Sequence, residues 1–429
     1  MATETKPVRE PKPTLRDRLS VLSERDFRRF FVGYATSLFG SSMAPVAVAF
    51  AVLDSGDGGS ELGWVMASRI LPIVLVLLAG GVVADRLGGK RVMLAADLLR
   101  LATQAAFAAV LMAGHPPLWA MVALVGVWGV GEGFFLPALG ALIPDLVSRE
   151  RGLADANTLL GLARSASTVA GPAVAGILTA TLGPASVLTV DAVTYAVGAL
   201  ALARLTVPLR RAETGAERHS VPAELKAGWS EFRSRTWLWT TTVQMGLFNL
   251  LVWAPFLILG PLTAQQRLGG ARSWGLVMAL YGAGAVLGGL AMLGRRPRRP
   301  LVVAVLGTLG WALPSAALAA RLPLLWTAFA ALLAGGTAAV VDTLFTTTTQ
   351  QNVPPDVRAR INSFGALGAF VLGPVGLALA GPIAAHSGTS AVLGFGALWQ
   401  LAAAAAVLAV PSVRRIRGAD TQTRPDPST

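Results

Sequence analysis

The chain has 429 residues, 54% of them hydrophobic and only 14% charged, where a soluble protein carries about 25% charged residues. So little polar surface cannot wrap a water-soluble globule, which excludes a soluble enzyme or binding domain. The net charge of +13 is the usual footprint of nucleic-acid binding, but the bases collect in alternate connections between apolar runs, the positive-inside pattern of a membrane protein.

Residues 1–29 are polar, basic and Pro-containing, without the apolar core and small-residue cleavage site of a signal peptide. They are read as a cytoplasmic N-terminal arm. Apolar runs of about 20 residues follow, each long enough to cross a hydrocarbon core about 30 Å thick. Six of them, at 30–53, 63–84, 92–113, 118–143, 158–182 and 186–205, predict an N-terminal six-helix bundle over 30–206. The charged stretch 207–236 has no span-length apolar run and reads as a cytoplasmic linker. Six further runs, at 237–262, 273–293, 301–320, 324–347, 361–385 and 390–410, predict a C-terminal bundle over 237–411, followed by a cytoplasmic tail at 412–429. Arginines and lysines mark every second connection, with Arg267, Arg272 and Arg321 the exceptions in the intervening ones, so both termini are expected in the cytoplasm of a cell whose inner or plasma membrane holds the protein. Cysteine is absent, which excludes disulfides, thiolate metal sites and cysteine nucleophiles.

The two halves resemble each other. Gly63-Trp64-Val65-Met66-Ala67 opens the second span, and Gly275-Leu276-Val277-Met278-Ala279 opens the eighth. The stretch from Arg149 to Asn157 followed by Gly171-Pro172 has a counterpart in Arg358 to Asn362 followed by Gly373-Pro374. The fold class expected is an all-α membrane protein of twelve transmembrane helices in two six-helix pseudo-repeats. In that arrangement the site lies between the halves near mid-membrane.

Between the second and third spans lies Gly81-Val82-Val83-Ala84-Asp85-Arg86-Leu87-Gly88-Gly89-Lys90-Arg91, read as a polar loop where the chain reverses. A glycine, Asp-Arg, a second glycine and two bases in this place resemble the signature of the major facilitator superfamily. The second-half copy, Gly289 to Arg299, has no acid. In the fifth span Ser167, Gly171, Pro172, Ala175 and Gly176 resemble the antiporter motif of exporters, with Ser and Ala where glycine is usual. With Phe134-Phe135-Leu136-Pro137-Ala138 and the stretch from Ile143-Pro144-Asp145 to Asn157, the chain is most similar to the macrolide-efflux and enterobactin-exporter branch. The resemblance implies a secondary transporter that exports hydrophobic or amphipathic small molecules in exchange for protons. It implies no cofactor beyond the proton gradient and no partners beyond substrate, protons and the bilayer, in a monomer. It also implies a gate in which Asp85 meets the start of span 11 near Asn362 and Ser363, and a base among Arg86, Lys90 and Arg91 reaches Asp145. A basic loop that only sets topology is the competing cause of the same charges.

Ionisable residues inside spans are costly and therefore functional candidates. Glu132 lies about 16 Å from the inner end of span 4 at 1.5 Å per residue, on a helix that the family places along the cavity wall. It is the first choice for the proton carrier, because a carboxyl taken out of water can exchange its proton near neutral pH. Arg69, about 9 Å below the outer end of span 2, is read as too shallow to pair with Glu132 and as a partner for anionic substrate or Asp191. Asp97 and Arg100, spaced i,i+3 on span 3, can satisfy each other. Asp342 in span 10 is a secondary coupling candidate or a helix-end residue, and Arg164 a ligand for a carbonyl or for Asp97. Phe39, Trp128, Phe134, Phe248, Trp253 and Tyr281 are candidates for an apolar pocket, although helix packing explains each of them singly.

The alternatives are a siderophore exporter or nutrient importer of the same fold and, more remotely, a non-transporting sensor or membrane enzyme. Few mid-span amides, chiefly Gln244, Asn249 and Gln400, argue against a sugar site. No histidine cluster, no nucleophile with a base and no phosphate-binding lysine motif argues for catalysis.

Overall fold

In a chain this rich in Leu, Ala and Val, helix is the only open structure that satisfies its own backbone inside a bilayer, and helices stop at the positive-φ glycines Gly88, Gly114, Gly183, Gly269 and Gly388. The computed structural model describes residues 20–206 except 57, 115, 148 and 149, and residues 229–417 except 355–360, 362, 363, 366, 367 and 370. Most of the predicted arm, linker and tail lies outside these residues. The helices are α1 (Arg25–Asp54), α2 (Gly59–Leu87), α3 (Gly89–Ala113), α4 (Leu118–Leu146), α5 (Glu150–Leu182) and α6 (Pro184–Ala203). They continue with α7 (Thr236–Leu268), α8 (Ala271–Met292), α9 (Pro300–Ala319), α10 (Leu324–Asn352), α11 (Gly373–Ser387) and α12 (Thr389–Ala409). Eleven of the described helices are long and apolar enough to cross a membrane. The twelfth span is α11, a continuous helix of 15 residues with Pro374 in its first turn. This is an all-α, twelve-helix membrane fold.

The reversal between α2 and α3 is tighter than the predicted loop. Helix runs through Leu87 and resumes at Gly89, so the connection is Gly88 alone, at φ 85° and ψ 137°. That conformation is open to glycine and strained for a side chain. One-residue turns of the same kind sit at Gly183 between α5 and α6 and at Gly388 between α11 and α12, equivalent places in the two repeats. Gly88→Ala is expected to destabilise the protein by about 1–3 kcal/mol, read as a lower unfolding midpoint in detergent. An unchanged midpoint would show that the turn relaxes without cost.

Two kinds of contact organise the bundle. Within the first half α2 packs on α4, α1 on α6, and α3 on α4 and α6; within the second, α8 packs on α10 and α9 on α12. Between the halves α5 packs on α8 and α2 on α11. Buried apolar residues report where the halves join. One cluster mixes Met43, Phe50 and Leu62 with Phe256, Trp274 and Leu377, near the ends of the helices remote from Gly88. At the Gly88 end the core splits in two. One cluster there draws only on residues from Val21 to Leu205, and the other only on residues from Phe232 to Val413. Among the described residues the halves are therefore sealed together at the end distal to Gly88 and share no apolar core at the Gly88 end.

Candidate functional site

The distal seal is made by the repeated pentapeptide. A Cβ built on Gly63 would stand 2.3 Å from the carbonyl oxygen of Leu377 in α11. One on Gly275 would stand 2.4 Å from the carbonyl oxygen of Pro172 in α5 and 2.8 Å from Cα of Gly176. Repeat-equivalent glycines thus let α2 and α8 each lie backbone to backbone against the opposite half. Gly176 of the antiporter-like motif serves the same end, facing Ala271 and Gly275 of α8, whereas Gly171 leaves room for Ser42 of α1 within the first half. Ser167 is buried one turn below Gly171. At the same distal end Gln265 donates to Asp54 Oδ1 at 3.1 Å across the halves.

In the middle of the first half, Arg69 and Glu132 form a bidentate ion pair. Arg69 Nε donates to Glu132 Oε2 at 3.0 Å and a terminal nitrogen donates to Oε1 at 3.1 Å. The expectation that Arg69 is too shallow for this pair is corrected by two facts. Helix α2 starts at Gly59, which places Arg69 about 15 Å below the distal end against about 21 Å for Glu132, a gap that a long arginine side chain spans. Helix α4 also approaches unusually closely, because Gly126, Gly129 and Gly133 face α2; a Cβ on Gly129 would sit 2.2 Å from the Arg69 carbonyl oxygen. The side chains stay 17% and 25% exposed. The Arg69 guanidinium also lies 4.1 Å from the centroid of the Trp128 ring.

Beneath this pair is a drier one. Asp97 and Arg100 of α3 are joined one turn apart and buried, and the guanidinium is stacked 4.0 Å from Phe135 and 4.5 Å from Tyr195. Gly131 and Gly198 make the space, since a Cβ on either would press on Arg100 Cγ or Asp97 Oδ2. Asp191 is fully buried on α6 and does not meet Arg69. It accepts from Gln104 Nε2 at 2.8 Å and lies 3.4 Å from Thr194 Oγ1. The Tyr195 hydroxyl binds Trp128 Nε1 at 2.9 Å and Ser41 Oγ at 2.8 Å, tying the two pairs together. Among the described residues of this cluster, three carboxyls share two guanidiniums, and Asp191 is the one held by neutral donors alone.

Sequence reasoning passed over Gln104 and Tyr195. Both were legible as same-face neighbours, one turn beyond Arg100 and Asp191 respectively. Arg164 is exposed and reaches the Tyr34 hydroxyl at 3.4 Å; among the described residues it meets neither a backbone carbonyl nor Asp97.

The motif around Gly88 lies at the split end. Gly81 and Asp85 are within α2, Arg86 and Arg91 are exposed, and Lys90 Nζ donates to the carbonyl oxygen of Leu205 at 2.6 Å. Asp145 is exposed in the last turn of α4. The expected partners of Asp85, Asn362 and Ser363, lie outside the described residues.

The second half holds a cavity of about 480 Å³ among α7, α8, α9, α10 and the segment before α11 that carries Gly365 and Ala369, lined by Phe248, Trp253, Tyr281, Trp311 and Asp342 with Gln244 and Asn249. Three of the six aromatic candidates are here. Trp128 is instead buried in the charged cluster, and Phe39 and Phe134 pack against the apolar cores. Asn249 serves the backbone, donating to the carbonyl oxygens of Met245 and Ala369 at 3.1 and 3.0 Å from a π-helical turn in α7.

Sequence and structure comparisons agree with this architecture. A family model described as Major Facilitator Superfamily matches residues 30–377. Macrolide efflux protein A of Streptococcus pyogenes is 23% identical over 280 residues, covering 65% of this chain and 69% of that protein. Multidrug efflux pump Tap of Mycolicibacterium fortuitum is 27% identical over 368 residues, covering 82% and 87%. Among solved structures, a peptide transporter POT in complex with sulfate superposes with a TM-score of 0.69 at 13% identity, over 93% of this chain and 99% of its own. A bacterial homologue of the iron transporter ferroportin in an inward-facing state gives 0.69 at 16% identity, over 90% and 99%.

Proposed function

The chain belongs to the Major Facilitator Superfamily and is a multi-pass membrane transporter rather than an enzyme, and from that premise we propose that it exports hydrophobic or amphipathic small molecules by proton antiport. The relatives named for macrolide and multidrug efflux support the direction and the class of cargo. In this reading the protein is a monomer in the cell membrane with both termini and the Gly88 end in the cytoplasm. The bundles 30–206 and 237–411 rock about the cargo, and the split end is the mouth through which cargo enters. The proton gradient is the energy source and no cofactor takes part.

The observation that carries the coupling is the bidentate Arg69–Glu132 pair. A proton on Glu132 removes its charge and one of the two acceptor oxygens, which loosens α2 from α4. The same helix α2 carries Gly63 at the distal seal, Arg69 at mid-depth and the Asp85 motif at the other end. A change in how α2 seats on α4 is thus transmitted to both gates by one continuous element.

In proteoliposomes, Glu132→Gln is expected to reduce efflux driven by a pH gradient to its level without a gradient. Efflux that keeps its full response to the gradient would move the coupling away from Glu132.

A further inference from the structure

We infer that the cavity in the second half is a cargo pocket selective for singly charged aromatic cations, with Asp342 as its counter-charge. This deepens the export reading and rests on it only in taking the bound ligand to be cargo. The rings form a continuous wall: Phe248 and Trp311 have centroids 4.2 Å apart, Trp253 and Tyr281 5.3 Å, and Phe248 and Trp253 6.4 Å. Asp342 of α10 lines the same cavity, and among the described lining residues there is no Lys, Arg or His. The amides do not offset its charge. Gln244 donates to Thr308 Oγ1 at 3.3 Å, and Asn249 is engaged by backbone carbonyls.

A lone carboxylate in an aromatic lining has one direction of preference. Ring faces present negative potential and attract cations, the carboxylate adds a full negative charge to the same lining, and both repel an anion. A neutral ligand of the same shape gains the apolar contact alone. The first half cannot supply this selectivity, because its accessible acid, Glu132, is already neutralised by Arg69. At about 480 Å³ the cavity falls in the range of about 300–1,000 Å³ that holds a drug-sized molecule.

The test is equilibrium binding to the purified full-length protein in detergent, with no gradient, using tetraphenylphosphonium, tetraphenylborate and neutral triphenylphosphine oxide. Tetraphenylphosphonium is expected to bind at least about tenfold tighter than tetraphenylborate, the equivalent of 1.4 kcal/mol. Asp342→Asn is expected to remove that preference while leaving triphenylphosphine oxide binding within about twofold, and Asp342→Glu to retain it. Trp311→Leu is expected to weaken the cation and the neutral ligand together. Equal binding of the two ions by the wild-type protein, or cation binding unaffected by Asp342→Asn, would overturn the pocket. Because no gradient is present, that failure leaves proton antiport standing, whereas a gradient-independent carrier would be revealed only in proteoliposomes.

Discussion

Gly275→Ala and Gly63→Ala are each expected to part the halves at the distal end and to collapse transport while the protein remains folded in the membrane. A methyl group at either position would sit 2.3–2.4 Å from a backbone carbonyl oxygen of the opposite half, and backbone cannot rotate aside as a side chain can. The clash lies between two bodies rather than inside one, so the relief is separation. Overpacking of this kind costs about 1–3 kcal/mol, which shifts a two-state equilibrium about 5- to 150-fold toward the state with the seal broken. The chain has no cysteine, so Asp54→Cys with Gln265→Cys places a pair of spin labels across the seal without a background. In the parent the labels are expected close together, and in the alanine variants a long-distance population is expected to dominate. Unchanged distances would mean that the seal absorbs the added methyl group without parting the halves.

The largest loss of stability is expected from Arg100→Ala. The Asp97 and Arg100 side chains are 2% and 5% exposed, so the variant strands a carboxylate in an apolar site. Removing one partner of such a pair costs about 3–5 kcal/mol. Arg100→Lys is not expected to rescue it, because the flat guanidinium also covers the faces of Phe135 and Tyr195, a contact that a compact ammonium does not reproduce. Asp97→Asn combined with Arg100→Met removes both charges and is expected to recover much of the loss. Thermal unfolding in detergent distinguishes these outcomes. Wild-type stability in Arg100→Ala would show that water reaches Asp97 and that the cluster is not dry.

Those two results bear on different layers of the molecule, and the sequence read them unequally. The pentapeptide at Gly63 and Gly275 was visible as a repeat, but nothing local said that these glycines face the other half. The i,i+3 spacing of Asp97 and Arg100 was sufficient to place them together, since one helix alone decides that contact. Pairing Arg69 with Glu132 needed the true start of α2 and the glycine face of α4, and counting residues from an apolar boundary missed the first by four residues. Asp342 was legible as an ionisable residue within a span, yet its place beside the aromatic wall depends on how α7, α8, α9 and α10 are rotated.

By itself the sequence determined that this is a membrane protein, that it has twelve spans in two related halves, and where the chain reverses. Those properties follow from the length of apolar runs and from glycine and charge at their ends, which are local and additive. Tertiary structure alone decided that the halves meet at the end distal to Gly88, that Glu132 has Arg69 as its partner, and that the cavity belongs to the second half. A residue's position along a helix sets its depth to within a few ångström. Which neighbour it faces is set by the rotation and tilt of packed helices, and here glycine stripes that permit backbone contact fix both.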